Sequence, residues 1–250
     1  MKYFFSYALF FILSTPAMAQ LEVIISGGFQ GAYNQMLPPF ERMTGIKVIT
    51  KSGASQGSGP KTIKAQLLAG TSADVVILSR EGLTELIAMD KILPKSDADL
   101  ARAPLGLAVP AGGQRPDISN LKSFRDELVK AQKIVVPGST SGIYLTTEVF
   151  PRLKIEDQIT VQVTERGSQA TDLLAAKGAN IAIQPSSELV NVPGIDYIGP
   201  IPNDVQLIQT FAAAIVVNSA HPENAKKLID YLRSQESVGP IKRNGMDLVP

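Results

Sequence analysis

Four apolar runs in this chain each stop at small polar residues and pass directly into a segment of helical spacing, and few folds accommodate that pattern. Leu21 to Ile25 meets Ser26-Gly27-Gly28, and Ile46 to Thr50 meets a Gly- and Ser-rich loop from Gly53 to Pro60. Ala73 to Leu78 meets Ser79-Arg80, and Lys133 to Val136 meets Pro137-Gly138 followed by Ser139 to Gly142. Behind the first loop, Ala32, Tyr33, Met36, Leu37 and Phe40 recur at the period of a helix, which Thr44-Gly45 stops. The other loops lead into helices over 61–68, around Leu83, Leu86 and Ile87, and over 143–153. This alternation predicts an α/β fold with a mainly parallel sheet covered on both faces. Further strands are expected at Leu105 to Val109, Thr160 to Val163, Ile181 to Ile183 and Phe211 to Val217. Helices are expected over 121–131, 170–177 and 222–232, the last with Ser219 as its N-cap. Residues 193–202, rich in Pro and Gly, read as a return path.

The first residues set the compartment. A basic opening at Lys2, an apolar run from Phe4 to Leu13 and the small-x-small ending Ala17-Met18-Ala19 predict a signal peptide over 1–19, cleaved after Ala19. The run is shorter than the roughly 20 apolar residues that span a bilayer. The mature chain is therefore expected to be soluble and periplasmic. Removing Lys2 leaves 23 basic against 23 acidic residues, so no global basic excess favours nucleic acid. The absence of Cys excludes disulfides, thiolate nucleophiles and Cys-ligated metals, and any Ser-His-Asp triad would have to pass through the single His221. No cofactor or metal is expected.

The loops carry the functional argument. Ligands of open α/β sheets bind beyond the carboxyl ends of strands. Free amides at helix N-termini, bare of bulky side chains and close to hydroxyls, favour an anion there. None of the four loops has the phosphate-cradling Gly-x-x-x-x-Gly-Lys-Ser/Thr pattern or the dinucleotide Gly-x-Gly-x-x-Gly, so nucleotide hydrolysis and NAD binding lack support.

The segments LEVIISGGFQGAYNQMLPPFERMTGIKV, SADVVILS, GSTSGIY and FAAAIVVNSAHPENAKKLIDYLRSQE, in this order, resemble the molybdate-binding component of ABC importers and its relatives among the type 2 periplasmic solute-binding proteins. The resemblance covers essentially the whole mature chain. It implies a two-lobed fold of mixed sheets covered by helices, with two crossing strands and a ligand cleft between the lobes. Lobe 1 would be residues 21–101 plus 211–250, and lobe 2 residues 102–209. It also implies a monomer that passes its ligand to an ABC permease and catalyses no reaction.

Carried onto this sequence, the family's ligand contacts fall at Ser26, Gly27, Gly28 and Phe29, at Ser55, Gln56, Gly57 and Lys61 in the second loop, and at Ser141, Gly142 and Ile143 in the second lobe. Ser79 and Arg80 end the third strand, and Gln184 replaces the family's late Tyr. Where the family places a ligand hydroxyl this chain has Gly28, so a branched side chain there is expected to block binding without disturbing the fold. Fewer hydroxyls and more Gly suit an anion larger or flatter than molybdate. Lys61, Arg80 and Arg166 are the candidate cations, Arg166 having Glu165 beside it as a surface partner. Asp74 is expected to organise a turn, His221 to be an exposed capping-region residue, and Tyr33 and Tyr144 to wall the cleft or pack in the core. The expected ligand is an organic di- or tricarboxylate; molybdate or tungstate, or a role as a sensor for a membrane partner, are the alternatives.

Overall fold

The structure, a computed structural model, describes residues 20–249. The expected signal peptide lies outside the described residues. Chain order is β1 (Gln20–Ile25), α1 (Gly27–Thr44), β2 (Lys47–Ser52), α2 (Ile63–Leu68), β3 (Val75–Ser79), α3 (Arg80–Ala88), β4 (Ala98–Pro110), α4 (Leu121–Ala131) and β5 (Lys133–Pro137). It continues through α5 (Thr140–Tyr144), a π-helical turn (Leu145–Val149), α6 (Phe150–Leu153), β6 (Thr160–Thr164), α7 (Gly167–Ala175) and β7 (Ile181–Pro185). A 3₁₀ turn (Ser186–Glu188), β8 (Ile195–Pro200), β9 (Ile208–Ile215), α8 (Pro222–Leu232), α9 (Val238–Arg243) and β10 (Asp247–Leu248) complete it.

The strands form one mixed sheet in the order β2-β1-β3-β9-β4-β7-β5-β6, with β8 and β10 also paired to β4. Pairing is parallel in each wing, where β1 lies between β2 and β3 and β5 between β6 and β7, and antiparallel around β4 and β9. The expectation of a mainly parallel sheet holds only for the wings, because β9 and β4 return through the centre. Residues 98–104 of β4 pair with β9 and residues 105–110 with β7 and β8, so this one strand belongs to both wings. The return path over 193–202 contains β8, an ordered strand that Gly199, at φ 152°, lets bulge against Leu107 and Ala108.

The core follows the strand period. In β1, Leu21, Val23 and Ile25 face α1 and α8 through Phe29, Tyr33, Phe40 and Leu228, while Ile24 faces the opposite layer with Ile63, Leu83 and Leu86. The other wing repeats the arrangement, Ile134 and Val136 meeting Phe124 and Phe150, and Val135 meeting Ala170 and Leu174. Tyr33 belongs to this packing: it is fully buried and its hydroxyl pairs with Thr50 Oγ1 at 2.9 Å. Burial pushes its phenol up to about 12. Tyr144 is part of the second wing's core, its hydroxyl donating to the Val205 carbonyl.

Asp74 does organise chain, at longer range than a turn. Its carboxylate accepts from the Glu22 amide (2.8 Å), the Ser219 hydroxyl (2.7 Å) and the His221 amide (3.2 Å), fastening β1 to the start of α8. Ser219 is thus not the N-cap of α8. His221 holds that position, with Pro222 filling the first turn. Asp74→Ala is expected to lower stability by about 2 kcal/mol, since three buried or half-buried donors lose their acceptor together. Urea denaturation of both proteins checks this, and an unchanged midpoint would contradict it.

Candidate functional site

Capping differs among the helices that begin around the two wings; α6, α8 and α9, which start away from the cavity, also lack a side-chain cap. The starts of α2, α3 and α4 are closed by their own side chains: Thr62 accepts from Ala65, Ser79 from Gly82 and Asn120 from Ser123. The starts of α1, α5 and α7 have no cap from the side chain at the N-cap position, although Ser26 and Ser139 stand at two of these; in α7 the Gln169 side chain accepts from the Arg166 amide at 3.2 Å. These three starts converge on one cavity of about 170 Å³, lined by Ser26, Gly27 and Gly28, by Ser139 and Ser141, and by Arg166, Gly167 and Ser168. Peptide donors left without partners in a helix's first turn favour a negative guest. Three such turns facing one space add their partial positive charges there.

Two orphaned polar atoms lie in the same wall. Ser26 Oγ and Gln209 Oε1 are buried, line the cavity and lack a hydrogen-bond partner among the described residues. Buried polar groups are rarely left so unless a ligand or water completes them. Arg166 supplies a full positive charge. It is half-buried, lines the cavity and makes no ion pair among the described residues, because Glu165 pairs with Lys61 instead (3.3 Å).

One acid faces this cation. Glu188, on the 3₁₀ turn after β7, lines the cavity and accepts no hydrogen bond at its carboxylate among the described residues. Burial pushes its carboxyl up to about 7, and the positive charge of Arg166 only partly opposes that. Gln184 sets the turn by donating from Nε2 to the Glu188 carbonyl at 3.1 Å.

The residues expected to bind ligand fall into distinct places. Ser26, Gly27, Gly28, Ser55 and Ser141 line the cavity. Gln56, Gly57, Lys61 and Ser79 are contacts between the wings. The Gln56 amide donates to Ser139 Oγ (3.2 Å), Ser79 Oγ pairs with Thr140 Oγ1 (2.8 Å), Lys61 pairs with Glu165, and Gly57 lies so close to the Gly138 carbonyl that a Cβ would be 2.5 Å from it. Phe29 is fully buried in the first wing's core. Gly142 packs against the end of β5, where a Cβ would come 1.7 Å from the Pro137 carbonyl, and the Ile143 amide is engaged by Ser139. Arg80 is held by Asp97 and Asp99 beside another surface depression. Gln184 acts behind Glu188. Gly28 is no open space: the Phe211 ring occupies the position of a Cβ at 2.0 Å, so a branched residue there would disturb packing as well as binding.

The sequence points to Arg166 as a candidate cation but not to Gly167, Ser168, Glu188 and Gln209, which also line the cavity. A signal for part of it exists in the sequence. Thr160 to Thr164 is an extended run that passes through Arg166-Gly167-Ser168 into a helix, the same pattern as the four loops identified.

Residues 21–247 match the family described as bacterial extracellular solute-binding protein. The chain belongs to that family. Its fold is that of type 2 periplasmic solute-binding proteins: the periplasmic molybdate-binding protein of Azotobacter vinelandii superposes with a TM-score of 0.72 at 20% identity, over 92% of this chain and 100% of that one. The sulfate-binding protein of Mycobacterium tuberculosis does so with a TM-score of 0.73 at 16% identity, over 92% of this chain and 87% of that one. Among curated proteins, one named aconitate isomerase, from a Pseudomonas species, is 34% identical over 245 residues, covering 96% of this chain and 94% of its own length.

Proposed function

We propose that this chain is a periplasmic receptor that takes an organic di- or tricarboxylate into the cleft and delivers it to an ABC permease. The observation that carries the reading is the convergence of three helix starts on a cavity that also holds Arg166, which makes no ion pair among the described residues. An Arg fork takes a carboxylate bidentately, and separate helix starts suit separate carboxylate groups better than one compact tetrahedral ion. A cavity of about 170 Å³ suits a small organic acid. The similarity to a protein named for aconitate, an unsaturated tricarboxylate, supports the same ligand class. The lobes proposed are residues 21–101 plus 211–250 and 102–209; Ala103 packs in the first wing's core and β4 changes partners after Pro104, which favours moving the boundary to Pro104 and Leu105. The liganding set proposed is Ser26, Gly27, Gly28, Ser55, Ser141, Arg166, Gly167, Ser168 and Gln209.

A thermal-shift panel on ligand-free protein tests this. A tricarboxylate at 100 times its dissociation constant should add about 2.7 kcal/mol of stability. Molybdate or tungstate raising the midpoint while citrate and both aconitates leave it unmoved would reverse the ligand class.

A second reading is favoured by Glu188 and by the name of the curated relative. In it the cleft also isomerises the acid that it holds. A hydrolase would need a nucleophile and base pair, which the sequence lacks, but moving a double bond needs only one group that can take up and return a proton.

A further inference from the structure

An ionised carboxylate inside an anion-binding cleft opposes the binding of its guest. Glu188 nevertheless stands there with its Oε1 between two glycines. A Cβ built on Gly27 would be 2.0 Å from that oxygen and one on Gly167 would be 2.5 Å from it, so a side chain at either position would push the carboxylate from this place. Those glycines open α1 and α7, two of the helix starts that meet at the cavity. Carboxylates seated at these starts would carry the carbon skeleton joining them past Glu188.

The surroundings leave the carboxylate free to exchange a proton. Arg166 is the charged group that acts on it from α7, the opening turn of α1 has no acidic residue, and β4 presents Leu105 and Gly106 level with Pro185 and Gln184. β8 brings the Tyr197 phenol to Ser186 on the same turn. We propose that Glu188 carries a proton between carbon atoms of a bound unsaturated polycarboxylate, so that this cleft isomerises its ligand as well as holding it. The proposal rests on the polycarboxylate reading above.

The step balances without a co-reactant. The Glu188 carboxylate takes a proton from the methylene next to the alkene, and the C–H electron pair becomes part of an allylic anion spread onto the flanking carboxylates. The helix-start amides and Arg166 stabilise that charge. The same oxygen, now protonated, returns the proton to the far end of the allylic system. The double bond has moved by one carbon, and the arm orientation fixed by the cleft sets its new geometry. A carboxyl pushed up to about 7 by burial suits both halves of this exchange near neutral pH.

The test uses the mature chain with cis-aconitate and trans-aconitate as probes, binding being read by calorimetry and interconversion by proton NMR. The wild type should bind and interconvert both acids, with kcat/KM rising with pH to about 7 and then levelling. Glu188→Gln should bind within about threefold of wild type at pH 6, while kcat falls at least a hundredfold. Wild-type turnover in Glu188→Gln would overturn the proposal. So would binding of both acids by the wild type with no interconversion, which leaves the receptor reading standing. Binding of neither acid would overturn both.

Discussion

Arg166→Ala is expected to weaken tricarboxylate binding about a hundredfold while leaving the fold as stable as before. The asymmetry follows from what Arg166 touches. Its guanidinium makes no ion pair among the described residues, and its neighbour Glu165 is already engaged by Lys61 at 3.3 Å, so truncation breaks no ion pair and leaves Glu188, which burial already favours in its protonated form, without the opposing charge. A ligand carboxylate, by contrast, would lose a bidentate charge-assisted contact in a partly desolvated cavity. Removing one partner from such a pair costs about 2–5 kcal/mol, of which the lower end is a factor near thirty and the middle well above a hundred. Arg166→Lys should recover part of the loss, because an ammonium keeps the charge without the planar fork. Titration calorimetry with citrate or aconitate against wild type, Arg166→Ala and Arg166→Lys decides it. Equal affinities in all three would remove Arg166 from the site and leave the helix starts alone to hold the anion. Arg80→Ala is the matched control: that residue is neutralised by Asp97 and Asp99 away from the cavity, so it should leave affinity unchanged.

The contrast between these two arginines shows what the sequence can reveal. Both follow a strand and open a helix, and Arg80 follows the cleaner pattern. What separates them is the identity of their neighbours in space: two aspartates from the segment before and within β4 reach Arg80, while the acid adjacent to Arg166 is drawn away by a lysine a hundred residues earlier in the chain. Elements whose signals are local were legible. The β1 run, the Ser26-Gly27-Gly28 junction where α1 begins and the helical stripe of α1 each announce themselves within a few residues, because apolar period and loop chemistry are short-range properties. β4 was legible only over Leu105 to Val109. Its first half pairs with β9, which follows a hundred residues later, and its burial alternates too weakly to announce a strand. β8 was obscured by the prolines and glycines around it. Within the site, the loops predicted to meet an anion divided between cavity wall and inter-wing contact, a distinction that depends on which side of each loop faces the other wing. Glu188 is the extreme case: one acid after Pro185-Ser186-Ser187 reads as a solvated turn, and only the placement of Gly27 and Gly167 against its oxygen makes it part of a site.

That placement should be visible in stability as well as in chemistry. An ordinary Glu loses its proton near 4.5, whereas folding holds the proton on Glu188 to about 7. The folded state therefore binds this proton more tightly than the unfolded chain, and the stability that it contributes is complete below pH 4.5 and lost as pH rises toward 7. A difference of this size corresponds to about 3 kcal/mol. Glu188→Gln keeps the shape without the charge, so it should match wild type near pH 4.5 and exceed it by up to about 3 kcal/mol at pH 8. Thermal midpoints of both proteins from pH 4.5 to 8, without ligand, test the sign directly; a difference that stays constant or reverses would mean that the carboxylate is well solvated or paired. Bound anion should deepen the effect, since a negative guest raises the cost of ionising its neighbour. Affinity for a non-reacting tricarboxylate such as citrate should then fall as pH rises above about 7, while any turnover, which needs Glu188 ionised, should gain from the same change. Opposed pH dependences of holding and converting one ligand would separate a carboxylate that works on its guest from one that the fold merely tolerates.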